Sequence, residues 1–179
     1  RCIIYCTDLE GCTLTCAVLY GWTGGRKGTA DACRTDDLCA IIVDQLERLP
    51  PGPKIIAADL NGTTETFPTV DNLIANEGWT DVGLSAHICG DQAGAPTCQN
   101  NDNARETRID FLFSNWAMTP AIIRGAVDNC SGLPTHRPLT IDVMVHQLIK
   151  RNRKLQKPTN FADLLEEKVQ SEFQAKKDS

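Results

Sequence analysis

The sequence lacks several features that would place it in a large class of proteins. No apolar run reaches the length of a transmembrane helix, no signal peptide is recognisable, and no internal repeat is visible. The net charge of −5 provides no basic field for general attraction to DNA or to membranes. We therefore expect no membrane partner, and a polyanionic ligand would have to be met locally or through a metal ion.

A phosphate-binding loop is also missing. The glycine-rich loop that contains Gly24, Gly25 and Gly28 has no Gly-x-Gly-x-x-Gly motif, and no Lys-Ser/Thr pair follows it. The composition is that of an ordinary globular protein, with 41% hydrophobic and 23% charged residues in a chain of 179. This length fits one domain with a sizeable core. Because the chain starts without Met and inside a strand-like pattern, we expect it to be a fragment of something longer.

Cysteine is abundant, and its count of nine is odd. Secreted disulfide scaffolds are usually shorter and carry an even number, so we expect an intracellular, reduced protein in the nucleus or cytoplasm. A hairpin could bring Cys2, Cys6, Cys12 and Cys16 together around zinc. Zinc sites usually space their ligands more tightly than Cys-x3-Cys, and free Cys behaves as a small hydrophobe. Core filling is therefore the favoured interpretation.

The order of the predicted elements is that of a layered α/β fold. Two β-rich runs, over residues 1–7 and 12–20, predict an antiparallel hairpin. An amphipathic helix over 36–49 and a buried strand over 54–62 follow, and a short helix starts at Pro68. We further expect an edge strand over 79–84, an irregular loop over 85–106, and strands over 107–114, 121–127 and 139–145. Apolar residues at helical spacing define the first helix: Leu38, Ile41, Ile42, Leu46 and Leu49.

The composition changes near Lys150. A basic run begins there and ends at Pro158, and a solvated linker is favoured over a phosphate-contacting patch as its interpretation. Asn160 can cap a final amphipathic helix. We therefore predict one domain over residues 1–149, followed by a basic linker and a helix over 150–179.

Polar residues stand out at three predicted strand ends or strand–loop junctions. Asp59 and Asn61 close the buried strand, Asp110 lies in the strand after the long loop, and His136 precedes the last strand. Because side chains alternate along a strand, we expect Asp59 and Asn61 to share one face. In open α/β sheets the carboxyl ends of strands are where ligands bind. Taken singly, each position also fits a turn cap, a surface carboxylate or an ordinary loop histidine.

Taken in order, these positions resemble the second half of the endonuclease/exonuclease/phosphatase superfamily of DNase I-like proteins, with closest likeness to the endonuclease domains of LINE-type retrotransposons. The likeness covers residues 1–147, and Tyr20-Gly21 and Ala95-Pro96-Thr97-Cys98 resemble further segments of that family. It implies the C-terminal half of a DNase I-like layered α/β sandwich. The main motifs stand as Ala58-Asp59-Leu60-Asn61, Arg108-Ile109-Asp110-Phe111 and Thr135-His136-Arg137-Pro138.

The resemblance implies metal-dependent phosphodiester hydrolysis of DNA by a domain of a retrotransposon polyprotein. His136 would be the general base and Asp110 would fix its tautomer. Asp59 would orient the attacking water or donate a proton, and Asn61 and Tyr20 would donate to phosphate oxygens. Mg²⁺, or Mn²⁺, is the implied cofactor, since it suits carboxylate and water ligands.

Two departures from the family pattern matter. Thr135 stands where the family has an acidic residue that helps to position the metal, and the family's metal-binding Glu lies in an N-terminal half that is absent. The missing half is therefore an expected partner, and we predict that this chain alone lacks robust nuclease activity. Two alternatives stay open: a phosphatase of phosphoinositides or other small phosphoesters, and a decayed module that only binds.

Overall fold

The computed structural model describes residues 1–9, 11–25, 27–99 and 104–148. Within these residues the longer elements alternate as the sequence predicts, and short 3-10 turns occur between them. The helices are α1 (Ala30–Arg48), α2 (Pro68–Asn76) and α3 (Ala86–Cys89). The strands are β1 (Cys2–Leu9), β2 (Cys12–Tyr20), β3 (Lys54–Asp59), β4 (Trp79–Asp81), β5 (Asp110–Asn115), β6 (Ile122–Val127) and β7 (Leu139–Val143).

Five of these strands form one sheet in the order β1-β2-β3-β5-β4. The predicted hairpin is confirmed, because β1 and β2 pair antiparallel from Cys2 opposite Leu19 to Leu9 opposite Cys12. Strand β3 runs parallel to β2 and antiparallel to β5. The carboxyl ends of β2 and β3 therefore lie beside the start of β5, at the same end of these neighbouring strands.

Helix α1 begins six residues earlier than predicted. Thr29 caps it, because its hydroxyl accepts the N–H of Ala32 at 3.1 Å. Its buried face also differs, since Ile41 is exposed. The prediction counted only large apolar residues and missed that small ones continue the same face. That face consists of Ala32, Thr35, Cys39, Ile42 and Leu46.

Different elements pack on the two faces of the sheet, and the second face is covered only in part. Helices α1 and α2 pack on one face, where Leu19, Ile56 and Phe113 are buried among their side chains. On the other face β6 and β7 form a separate two-stranded sheet, whose apolar residues enclose Ile55 and Leu112. The result is a three-layer α/β/β arrangement, with the second sheet only two strands wide among the described residues.

The hairpin register excludes a zinc site built from its four cysteines. Cys2 is opposite Leu19 and Cys6 is opposite Thr15, so both lie on the α1 face of the sheet, whereas Cys12 and Cys16 lie on the other face. The interpretation that these cysteines fill the core is confirmed for Cys12, which packs against the cluster that contains Ile55 and Leu112. It is wrong for Cys2 and Cys6, which are exposed.

Three further expectations concern the ends of elements or the C-terminal segment. The edge strand is shorter than predicted, because Val82–Leu84 forms a 3-10 turn, and α3 interrupts the loop predicted to be irregular. The basic run and the helix expected over residues 150–179 lie outside the described residues. Among the described residues, no helix is both long and apolar enough to cross a membrane.

Candidate active site

The candidate site forms where three strands end side by side. Tyr20 is the register partner of Asp59 across β2 and β3, and Asp59 is the partner of Asp110 across β3 and β5. Cross-strand partners project from the same face of a sheet. The three side chains therefore form a row on the face away from α1 and α2.

Asn61 lies beyond the end of β3, in a turn, and not in the strand position that the sequence predicted. Strand β3 ends at Asp59, and Asn61 has the left-handed φ of +52°, which Asn tolerates better than most residues. The N–H of Asn61 donates to the Asp59 carboxylate at 3.0 Å, and its side-chain amide donates to the Gly21 carbonyl at 3.4 Å. The prediction that alternation places Asp59 and Asn61 on one face is therefore wrong, because a tight turn replaces the strand there.

His136 and Asp110 are in direct contact. The imidazole Nδ1 lies 3.0 Å from Asp110 Oδ2 and 3.2 Å from Oδ1, and both side chains are partly exposed. A carboxylate can only accept, so this contact assigns the proton to Nδ1 and leaves Nε2 as the acceptor. The pair has the geometry of a carboxylate that orients a histidine base.

The pKa of the Asp59 carboxyl is raised above its ordinary value. Burial raises the pKa of this carboxyl, and the nearby Asp110 carboxylate raises it further. The N–H of Asn61 and the His136 ring oppose this rise. A carboxyl held in this way can carry a proton at higher pH than an exposed Asp, which suits a group that exchanges a proton with a reacting oxygen.

Tyr20 lies beside the carboxylates but is half exposed, and the Arg1 guanidinium stacks on its ring at 5.4 Å from the centroid. Thr135 contributes its backbone, because its carbonyl accepts the N–H of Gln99 at 2.9 Å. The Thr135 hydroxyl carries no charge with which to hold a cation. The catalytic roles assigned to Tyr20 and Asn61 stay predictions.

One group among the described residues has the ligand atoms for a metal ion. One carboxylate oxygen each from Asp59 and Asp110 and one ring nitrogen of His136 lie within 4.8 Å of one another. Oxygen-rich sites of this kind fit Mg²⁺ or Mn²⁺, which leave most of their remaining positions to water. Asp110 would hold the ion through its ionised carboxylate, and Asp59 could join it only when ionised, because a protonated carboxyl is a poor metal ligand.

The strand that carries Asp110 is fixed by a buried ion pair. The Arg108 guanidinium binds both carboxylate oxygens of Asp81, with Nη1 to Oδ2 at 2.8 Å, and it stacks on the Phe111 ring. Only 3% of the Asp81 side chain is exposed. Arg108 stands in a recognisable motif of the sequence, but its partner Asp81 lies 27 residues away and could not be predicted from that motif.

A second supporting residue, Thr97, was noted in the sequence only as part of a family-like segment. Its hydroxyl accepts the N–H groups of Ile109 at 3.2 Å and Asp110 at 3.0 Å. The Pro96-Thr97 pair just before an irregular segment was the available signal. A groove of about 730 Å³ beside β6 is elsewhere, and none of the three metal-ligating candidates lines it.

No family model and no curated protein matches the chain in sequence. Solved structures match its fold. A 3' phosphatase from Neisseria, NExo, bound to product DNA hairpin, superposes with a TM-score of 0.57 at 16% identity, over 79% of this chain and 64% of that one. The endonuclease domain of TRAS1, a telomere-specific non-LTR retrotransposon, gives 0.54 at 12% identity, over 86% and 64%.

A third match is a mannosyl-6-phosphatase from Bacteroides thetaiotaomicron, with a TM-score of 0.52 at 16% identity, over 75% of this chain and 52% of that one. This chain thus spans between half and two thirds of the length of these three structures. At such identities the match establishes the fold. The chain has a DNase I-like layered α/β fold, as these matched structures do.

Proposed function

We propose that this chain provides one wall of a metal-dependent phosphodiesterase site of the endonuclease type, with DNA as substrate. The observation that supports the proposal best is the His136–Asp110 pair beside Asp59, with their ligand atoms within 4.8 Å of one another. Two of the matched structures are of a DNA-bound phosphatase and a retrotransposon endonuclease. An origin in a retrotransposon polyprotein is part of the proposal.

The residues of the site would divide the chemistry between them. His136 Nε2 would take a proton from water, whose oxygen then forms the new bond to phosphorus as the bond to the leaving oxygen breaks. Asp110 would hold the ring and stabilise its charged form. Asp59, with its raised pKa, would supply the proton that the leaving oxygen takes up. A bound Mg²⁺ would neutralise phosphate charge.

The rest of the site would be provided by further strands from the missing N-terminal half. These strands would extend the β6–β7 sheet over the uncovered part of the large sheet. Ile3, Tyr5, Val18 and Tyr20 lie on the site face of the large sheet and remain 67%, 49%, 44% and 47% exposed. Strand β7 pairs only with β6 among the described residues, so its other edge can accept a strand. An uncovered apolar face beside an open edge is typical of an incomplete sandwich.

A plasmid-nicking assay tests this proposal. The chain extended by its natural N-terminal sequence should nick supercoiled DNA with Mg²⁺, and His136→Ala should abolish the nicking, while the 179-residue chain alone stays weak. Thr135→Asp should raise the rate in the extended protein, because it restores a charge at the metal side. His87→Ala, which changes a histidine outside the site, is the matched control.

Robust nicking by the 179-residue chain alone that depends on His136 would contradict the incomplete-site proposal. The same preparations should be tested on a phosphorylated sugar and on an inositol phosphate, because one matched structure is a mannosyl-6-phosphatase. Hydrolysis of these substrates with intact plasmid would favour the phosphatase alternative. A folded, extended protein that cleaves neither, even with Thr135→Asp, would favour a decayed binding module.

A further inference from the structure

Thr97 connects the two halves of the His136–Asp110 pair. It is 1% exposed and precedes Cys98, which bridges antiparallel to both Thr107 and His136. The Thr97 N–H donates to the Thr107 carbonyl at 3.0 Å, on the side that leads into β5. This short segment therefore lies between the strand that carries Asp110 and the loop that carries His136.

The side chain of Thr97 binds the backbone at Asp110. Its hydroxyl oxygen accepts two backbone N–H groups, from Ile109 at 3.2 Å and from Asp110 at 3.0 Å. A hydroxyl oxygen has two lone pairs, so both bonds are possible at once. Because a buried N–H without an acceptor is costly, removal of the hydroxyl would force the backbone at Asp110 to move.

The backbone of the same segment acts on the His136 side. The Thr97 carbonyl accepts the N–H of Arg137 at 2.7 Å, and the Gln99 N–H donates to the Thr135 carbonyl at 2.9 Å. These two bonds flank His136 on either side. A displacement of Thr97 would therefore change the position of the imidazole as well as that of the carboxylate.

We propose that Thr97 is a positioning residue that sets the register between Asp110 and His136, with its hydroxyl as the critical group. The consequence for catalysis rests on the proposed function, but the coupling itself can be measured without any activity. Thr97→Val keeps the shape of the side chain and removes the hydroxyl, whereas Thr97→Ser keeps the hydroxyl and removes a methyl group. The two variants therefore separate hydrogen bonding from packing.

The tautomer of His136 is the readout. Ring ¹⁵N NMR of the 179-residue chain, with the His136 signals assigned by their loss in His136→Gln, should show the Nδ1–H form in the native chain and in Thr97→Ser. Thr97→Val should shift His136 toward the Nε2–H form, and His87 and His146 serve as internal controls. If Thr97→Val folds and retains the Nδ1–H form, Thr97 is only a packing residue and the proposal is overturned.

Amide hydrogen exchange of the native chain provides a second test in case Thr97→Val does not fold. The amides of Ile109 and Asp110 should be protected, and exchange at the rate of exposed loop amides would overturn the proposal. In the extended enzyme, Thr97→Val should lower kcat about 10- to 100-fold with little change in KM, and Thr97→Ser should restore it. An inactive extended enzyme with the expected tautomer shift would contradict the proposed function and leave the role of Thr97 standing.

Discussion

Asp59 and Asp110 lie directly opposite each other in the β3–β5 ladder, so two carboxylates lie side by side on one face of the sheet, where β3 ends and β5 begins. Like charges directly opposite are destabilising, and Asp59 is also partly buried. Burial and the Asp110 charge both raise the pKa of Asp59. Between the ordinary carboxyl pKa and this raised one, the folded chain therefore keeps a proton at Asp59 more often than the unfolded chain does.

The first prediction concerns how the raised pKa of Asp59 makes the free energy of unfolding depend on pH. Stability should fall as pH rises from the ordinary carboxyl value near 3.8 through the raised pKa of Asp59, because the folded state binds more protons there. Asp59→Asn should remove this slope and raise the free energy of unfolding above that pH range, because the variant has no carboxyl to ionise at this position.

Urea unfolding between pH 3 and pH 8 measures this effect, and Asp37→Asn, on the exposed side of α1, is the control. The same Asp59→Asn change should abolish any hydrolysis by the extended protein. A variant that is less stable than the native chain at neutral pH would show that Asp59 stabilises the fold and is not held there at a cost.

A second prediction concerns the buried ion pair between Arg108 and Asp81. Asp81→Asn leaves a buried guanidinium without its counter-charge, and such changes typically cost about 3–5 kcal/mol. Asp44→Asn breaks an exposed pair with Arg48 on α1 and should have no measurable effect on stability. Denaturant unfolding of both variants compares them. Equal effects would mean that the Arg108 pair is not the support of β5 that its burial suggests.

The sequence predicts the residues of the candidate site better than it predicts the contacts that support them. The positions of Asp59, Asp110 and His136 could be predicted because motif order and strand ends are local features, and the structure brings the three together. The partner of Arg108 and the hydrogen bonds of Thr97 could not, since they join segments that are distant in sequence and depend on tertiary packing. Local patterns identify the candidate site residues better than the contacts that hold these residues in place.

The errors of local prediction have physical causes of the same kind. The alternation rule failed at Asn61 because the backbone leaves the strand after Asp59 and turns with a positive φ. The start of α1 was missed because the Thr29 cap precedes small residues, Ala32 and Thr35, which carry little hydrophobic signal but are buried. The turn at Asn61 lies where Gly21 comes close to the carbonyl of Leu60.

A third prediction concerns that close approach. A Cβ at Gly21 would lie 2.7 Å from the carbonyl oxygen of Leu60, in the turn between Asp59 and Asn61. Gly21→Ala should therefore displace the turn, lower stability by about 1–3 kcal/mol as overpacking does, and reduce activity of the extended protein. Gly52→Ala, whose Cβ would meet its nearest atom at an ordinary 3.6 Å, is the matched control. Thermal unfolding and the nicking assay measure the two effects, and equal behaviour of both variants would contradict the proposed contact.

The fourth prediction uses the uncovered face of the large sheet. Val18 is opposite Ile3 in the β1–β2 ladder, and both are exposed in this chain. Val18→Asp should leave the stability of the 179-residue chain nearly unchanged and reduce its binding of a hydrophobic dye, because the new carboxylate stays in water. In the extended protein the same change should cost several kcal/mol, since a second sheet would bury the charge without a partner.

Ile41→Asp, at an exposed apolar position on α1, provides the control for this comparison. It should have a small effect in both proteins, because no additional layer is expected on the outer side of that helix. Urea unfolding and dye fluorescence of the four variants therefore distinguish a covered face from a merely exposed one. If Val18→Asp is equally mild in the extended protein, the second sheet does not cover this face. The cleft of the active site would then have to be completed in some other way, since Tyr20 and Asp59 occupy the same face.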